Sequence, residues 1–81
     1  EFALISLLMH IINHQGTPRE IEELGIDTIK NHLYWEEKFT EEIIDRVLDK
    51  NYAYIEDNIL KISEEGKKFA LSNYYHIVDL D

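Results

Sequence analysis

The first stretch of the chain is apolar almost without interruption. Within the segment Phe2 to His14, only Ala3, Ser6, His10 and Asn13 stand apart from the Phe, Leu, Ile and Met positions as far as Asn13, at spacings of three and four. That spacing predicts a helix with a narrow polar stripe and an apolar surface wider than the usual ~100°. Such a helix lies at the centre of a core, or shares its apolar face between the core and a partner. Gln15-Gly16 closes it, because Gly suits the left-handed conformation that follows a helix end.

Thr17-Pro18-Arg19-Glu20 is the clearest local start signal. Thr17 caps a second helix, Pro18 takes the first helical position without losing a donor, and Glu20 completes a capping box. This helix is short, with Ile21 and Leu24 expected inward and Gly25 ending it. Asp27 is placed to cap a third helix from Thr28 to about Lys38, in which Ile29 and Leu33 share a face flanked by Tyr34 or Trp35. Thr40 is placed to cap a fourth, Glu41 to Lys50. Its Ile43, Ile44, Val47 and Leu48 form one stripe, and Glu41, Glu42, Asp45, Arg46, Asp49 and Lys50 form the solvent face.

After Asn51 the period becomes two. Tyr52 and Tyr54 alternate with Ala53 and Ile55, Asp57-Asn58 is a two-residue turn signal, and Ile59-Leu60-Lys61-Ile62 returns, so residues 53–62 read as a hairpin. Ser63 caps the last helix, and Glu64-Glu65 occupy its first turn, where the dipole favours anions. Phe69, Ala70, Tyr74 and Ile77, with Leu71, Tyr75 and Val78 beside them, give that helix a broad apolar face. The order is three or four helices, a hairpin and a helix, with no internal repeat or low-complexity tract.

At 81 residues the chain is one domain, 1–81, and its 44% hydrophobic content is that of a globular protein. One Pro and three Gly leave few loops. With no cysteine there is no disulfide framework and no thiolate metal site, which fits a reducing, cytoplasmic setting. The chain opens on Glu1-Phe2 without an initiator Met, as an excised or processed domain would. The apolar run at Phe2–Ile12 is shorter than the ~20 residues of a bilayer span and lacks the basic flank of a signal peptide, so no membrane association is expected. Seventeen acids against eight bases give a formal charge of −9, which disfavours unspecific attachment to nucleic acid or anionic lipid.

Val47-Leu48-Asp49-Lys50-Asn51-Tyr52-Ala53-Tyr54-Ile55, followed by Leu60-Lys61-Ile62-Ser63-Glu64-Glu65-Gly66-Lys67-Lys68-Phe69-Ala70, resembles the winged-helix family. In that family a recognition helix runs into a Gly and an aromatic-plus-Ile strand. A short wing follows, and then a Leu-Thr-x-x-Gly-Lys signature opens the last helix. Here Asn51 takes the Gly place, since Asn tolerates the left-handed conformation, and Ile62-Ser63-Glu64-Glu65-Gly66-Lys67 takes the place of the signature. The resemblance covers the second half of the chain well and the first half only as helix order. It implies a single winged-helix domain, mainly α with a small β-hairpin, carrying an extra helix at residues 27–39 before the recognition-type helix.

The resemblance also implies a DNA-binding module of the transcription-regulator type. Duplex DNA would meet Arg46 and Lys50 on the fourth helix, Lys61 beside the wing, and Lys67 and Lys68 on the last helix. Against this, Glu41, Glu42, Asp45 and Asp49 share the fourth helix, and the wing tip is Glu56-Asp57-Asn58. A solvated acidic face, or a docking face for a basic protein partner, is the competing expectation. A second cationic and aromatic group, Lys30, Asn31, His32, Tyr34, Trp35 and Lys38, lies on the third segment.

The surplus apolar surface of the first helix, and the crowded end of the last one, predict a homodimer through Leu4, Leu8, Ile11, Tyr74, Ile77 and Val78. Winged-helix regulators often pair through these two elements. The alternative is a monomer whose inserted helix covers the surplus, with Tyr34, Trp35 and Phe39 as a lid. His10 and His14 stand at i,i+4, a spacing that chelates metal from one helix face, but no third ligand lies near them in sequence, so no metal is expected. His32 and His76 are isolated. Nothing pairs a nucleophile with a base or cradles a phosphate, and the acidic doublets read as caps and solubilising charge, so neither an enzyme nor a cofactor is expected.

Overall fold

The computed structural model describes residues 2–78, with side chains described for residues 2–73. Its elements are α1 (Phe2–His14), α2 (Glu20–Leu24), a 3-10 turn (Ile29–Asn31), α3 (Glu37–Asp49), β1 (Ala53–Glu56), β2 (Ile59–Ile62) and α4 (Glu64–Val78). It is mainly helical with one antiparallel hairpin, as the period change at Asn51 predicts. No described helix is long and apolar enough to cross a membrane.

α1 is the hub. Leu4, Leu7, Leu8 and Ile11 are buried together with Leu24, Ile29, Ile43, Val47, Ala53, Leu60 and Ala70. The wide apolar face is therefore covered within one chain, by α4, α3, β2 and α2. This corrects the expected dimer interface at Leu4, Leu8 and Ile11: all three are core residues, at 1% exposure or less. The other three interface residues, Tyr74, Ile77 and Val78, lie outside the described side chains. Tyr34, expected as part of a lid, is fully exposed, and Phe39 is 41% exposed, meeting Trp35 edge-on at 5.3 Å. The hairpin and flanking helices cover α1 instead.

The third helix expected over residues 28–38 shrinks to the 3-10 turn. The Thr28 hydroxyl donates back toward the carbonyls of Glu22 (2.8 Å) and Ile21 (3.1 Å), closing the end of α2. Asp27, expected to cap the third helix, accepts instead from the Asn58 amide at 3.0 Å. With that start signal spent on the hairpin, only Ile29 of this segment is fully buried, while Leu33 and Trp35 pack half-buried against the core. α3 in turn starts before its expected cap. Its first residue is Glu37, and Thr40 sits fully buried within the first turn, its hydroxyl donating to the Glu36 carbonyl at 3.0 Å. Thr17 and Glu20 do bond near the α1–α2 junction, accepting from the Arg19 and Gly16 amides, but the helix itself begins only at Glu20.

Between α3 and α4 the expectations hold. Asn51 is left-handed at φ 61°, and the hairpin turns at Asp57 (φ 53°) and Asn58 (φ 64°), the two positive angles of a type I′ turn. Ala53 faces Ile62, and Ile55 faces Leu60. A single bridge from Gly25 to Ile59, with the Ile26 amide donating to Asn58 at 2.9 Å, docks the end of α2 on the hairpin. The Ser63 hydroxyl accepts from the Gly66 amide at 3.0 Å, capping α4, and donates to the Asn51 carbonyl at 2.6 Å.

Candidate functional site

α2 turns a glutamate inward where an isoleucine was expected. Ile21 is 71% exposed, while Glu23 is buried beside Leu24. A carboxylate is costly to bury unless partners surround it, and here they come from three segments of the chain. His10 and His14, one turn apart on α1, bring their Nε2 atoms to 3.5 and 3.8 Å from Glu23 Oε1. Arg19, just before α2, reaches Oε2 at 3.2 Å, and His32, just after the 3-10 turn, brings Nδ1 to 3.3 Å from the same oxygen. The two oxygens thus have different company. Oε2 is clamped by Arg19 and His32, and Oε1 faces the two imidazoles of α1.

His10 Nε2 also lies 3.0 Å from the Glu23 main-chain carbonyl, which assigns the proton to that nitrogen. Burial, which penalises the charged ring, pushes the His10 pKa below its ordinary value. The bond to the Glu23 carbonyl opposes this, the charges of His14 and His32 reinforce it, and the Glu23 carboxylate opposes it again. The lowered pKa favours the neutral imidazole at pH 7. The cluster borders an open cavity of about 420 Å³ lined by Ser6, Met9, Asn13, Leu33, Tyr34 and Trp35 in addition to His10 and His32.

Of this cluster, sequence spacing supplied the His10–His14 pair. It missed Glu23 and His32. Glu23 reads as half of an acidic doublet on a solvated helix, and His32 as an isolated ring. The one usable signal was the composition of the neighbourhood: three histidines and an Arg flanking a helix too short to bury more than one of its hydrophobic residues.

The second surface is the outer side of α3 with the hairpin. Arg46 and Lys50 are exposed on and just after α3, and Lys67 and Lys68 are exposed early on α4, as expected. Lys61 is half-buried and lies 3.4 Å from Glu56 and 4.0 Å from Glu20. Lys30 similarly meets Glu37 at 3.4 Å and Glu41 at 3.6 Å. The apolar stripe of α3 divides: Ile43 and Val47 enter the core, while Ile44 and Leu48, with Ile26 and Ile55, floor a groove of about 230 Å³ edged by Lys30, Glu41 and Asp45. Ile55 is 48% exposed there. The hairpin tip, Glu56-Asp57-Asn58, is exposed. Comparison with family models, with curated proteins and with solved structures found no match.

Proposed function

We propose that the chain is a winged-helix interaction module that docks a basic protein segment against α3 and the wing, with an apolar side chain of that segment seated in the groove. The carrying observation is the groove itself, an Ile26–Ile44–Leu48–Ile55 floor with Glu41, Asp45 and Lys30 on its rim. An apolar floor supplies affinity, and the net acidic charge of the rim and of α3 steers a basic partner. The winged-helix reading is supported by the order α3, hairpin, α4 and by the left-handed Asn51 in the place of the family's Gly. Duplex DNA is the second reading, favoured by four exposed cations, Arg46, Lys50, Lys67 and Lys68. The acids Glu41, Glu42, Asp45 and Asp49 stand beside the first two and oppose a phosphate backbone.

The deciding experiment titrates the chain with labelled duplex DNA, and separately with a short labelled Lys/Leu peptide, at ~50 and ~200 mM salt. The docking reading expects saturable peptide binding that Ile55→Ser weakens roughly fivefold or more, the effect of losing an interface anchor. Because Ile55 is half-exposed, the substitution leaves the core in place. Duplex binding that falls steeply with salt, and is lost on charge reversal of Arg46 and Lys50, would replace the docking reading with the DNA one.

A further inference from the structure

We infer that His10 Nε2, His14 Nε2 and Glu23 Oε1 form a binding site for one first-row transition-metal ion of the zinc class, with Arg19 and His32 positioning the carboxylate through its other oxygen. The argument begins with distances. A tetrahedral ion with ligands at ~2.0–2.1 Å sets its donor atoms ~3.3–3.4 Å apart. The two imidazole nitrogens stand 3.5 and 3.8 Å from Oε1, and all three donor atoms lie within 4.8 Å of one another. These separations are longer than the ~2.7–3.2 Å of an N–H···O bond. The 3.5 and 3.8 Å separations are close to the edge of a coordination tetrahedron, and the 4.8 Å span is closed by rotation of the rings.

The supporting groups fit as well. A ligating carboxylate is ordinarily held by hydrogen bonds to its second oxygen, and Glu23 Oε2 has Arg19 Nη2 at 3.2 Å and His32 Nδ1 at 3.3 Å. Water is the donor for a fourth position. Ligation at His10 requires the tautomer with its proton on Nδ1. The Nε2 bond to the Glu23 carbonyl is then given up. The donor chemistry selects among metals: two imidazoles and one carboxylate suit Zn²⁺, Co²⁺, Ni²⁺ or Cu²⁺, whereas Mg²⁺ and Ca²⁺ require oxygen sets. The cavity beside His10 and His32 supplies access from solvent. An ion at this site would tie α2, a five-residue helix, to the central helix α1.

The test uses the whole chain without an affinity tag, stripped with chelator, dialysed, and titrated with ZnCl₂ at pH 7 by calorimetry. The expected result is one ion per chain, a melting temperature that rises with Zn²⁺ concentration, and no competition from Mg²⁺. His14→Ala should abolish the saturable site, and His32→Ala should weaken it about tenfold as loss of a positioning residue does. His14 is part-exposed, so circular dichroism of His14→Ala should match the parent. If its helical signal were lost, the His32→Ala titration decides by the same criterion. Absence of 1:1 Zn²⁺ binding, undiminished affinity in His14→Ala or His32→Ala, or equal competition by Mg²⁺ would overturn the inference. The cluster would then be only an ion-pair network compensating a buried glutamate.

Discussion

Replacing Gly66 by Ala should destabilise this chain although the position is helical, where the exchange ordinarily stabilises by ~0.5–1 kcal/mol. Gly66 lies in the first turn of α4 and is buried against the loop leaving α3. A methyl group there overlaps the carbonyl oxygen of Tyr52 and comes within 2.7 Å of its carbonyl carbon and 2.9 Å of its Cα. Ordinary carbon contacts are ~3.5–4.0 Å, so the two backbones must part by roughly 1 Å. Neither is free to move. The Tyr52 carbonyl accepts from the Ser63 amide at 3.0 Å, and the Ser63 hydroxyl bridges Asn51 and Gly66. Relieving such an overlap costs ~1–3 kcal/mol, and each hydrogen bond lost adds ~1 kcal/mol. After the helical gain is subtracted, the net loss is about 2–4 kcal/mol. For 81 residues the whole stability is roughly 4–12 kcal/mol, so a large share disappears. Urea unfolding followed by circular dichroism checks this. With m near ~1 kcal/mol/M the midpoint should fall by about 2–4 M, or the chain should begin partly unfolded. A midpoint equal to or above that of the parent would refute the steric argument. The close approach to Tyr52 would then no longer explain glycine in the Ser63-Glu64-Glu65-Gly66-Lys67 motif.

Two further outcomes test the turn and the core. Asn58→Ala should lower stability by ~1–2 kcal/mol, because Ala pays the left-handed strain at φ 64° and loses the 3.0 Å bond to Asp27; Asn58→Gly should be nearly neutral, its backbone freedom offset by the same lost bond, and thermal melts of the two side by side distinguish strain from hydrogen bonding. Leu8→Glu places a charge in a fully buried site, so it should abolish cooperative unfolding outright; a folded Leu8→Glu chain that merely changes its sedimentation from dimer to monomer would restore the interface reading of α1.

Local signals fixed the elements whose conformation depends on a few adjacent residues. The wide apolar run of α1, the period of two after Asn51, the left-handed Asn51, the Asp57-Asn58 turn and the Ser63 cap each follow from backbone preference or side-chain spacing within about four residues, and each is found where those rules put it. Where a polar side chain had a choice of partner, spacing could not decide. Asp27 has the chemistry of a helix cap, but it bonds to the hairpin while Thr28 bonds back to the end of α2, and the helix expected there becomes one 3-10 turn. Thr40 satisfies its hydroxyl on the preceding turn, so burial within α3 costs it little and the helix runs past it to Glu37. The same limit governs the cluster. The i,i+4 spacing put His10 and His14 on one face of α1, but the carboxylate they share belongs to a different helix, 13 residues beyond His10. Only the docking of α2 on α1, which turns Glu23 in and Ile21 out, brings that carboxylate to the imidazoles. That rotation is a tertiary decision, because a buried carboxylate is tolerable only where Arg19, His10, His14 and His32 arrive together.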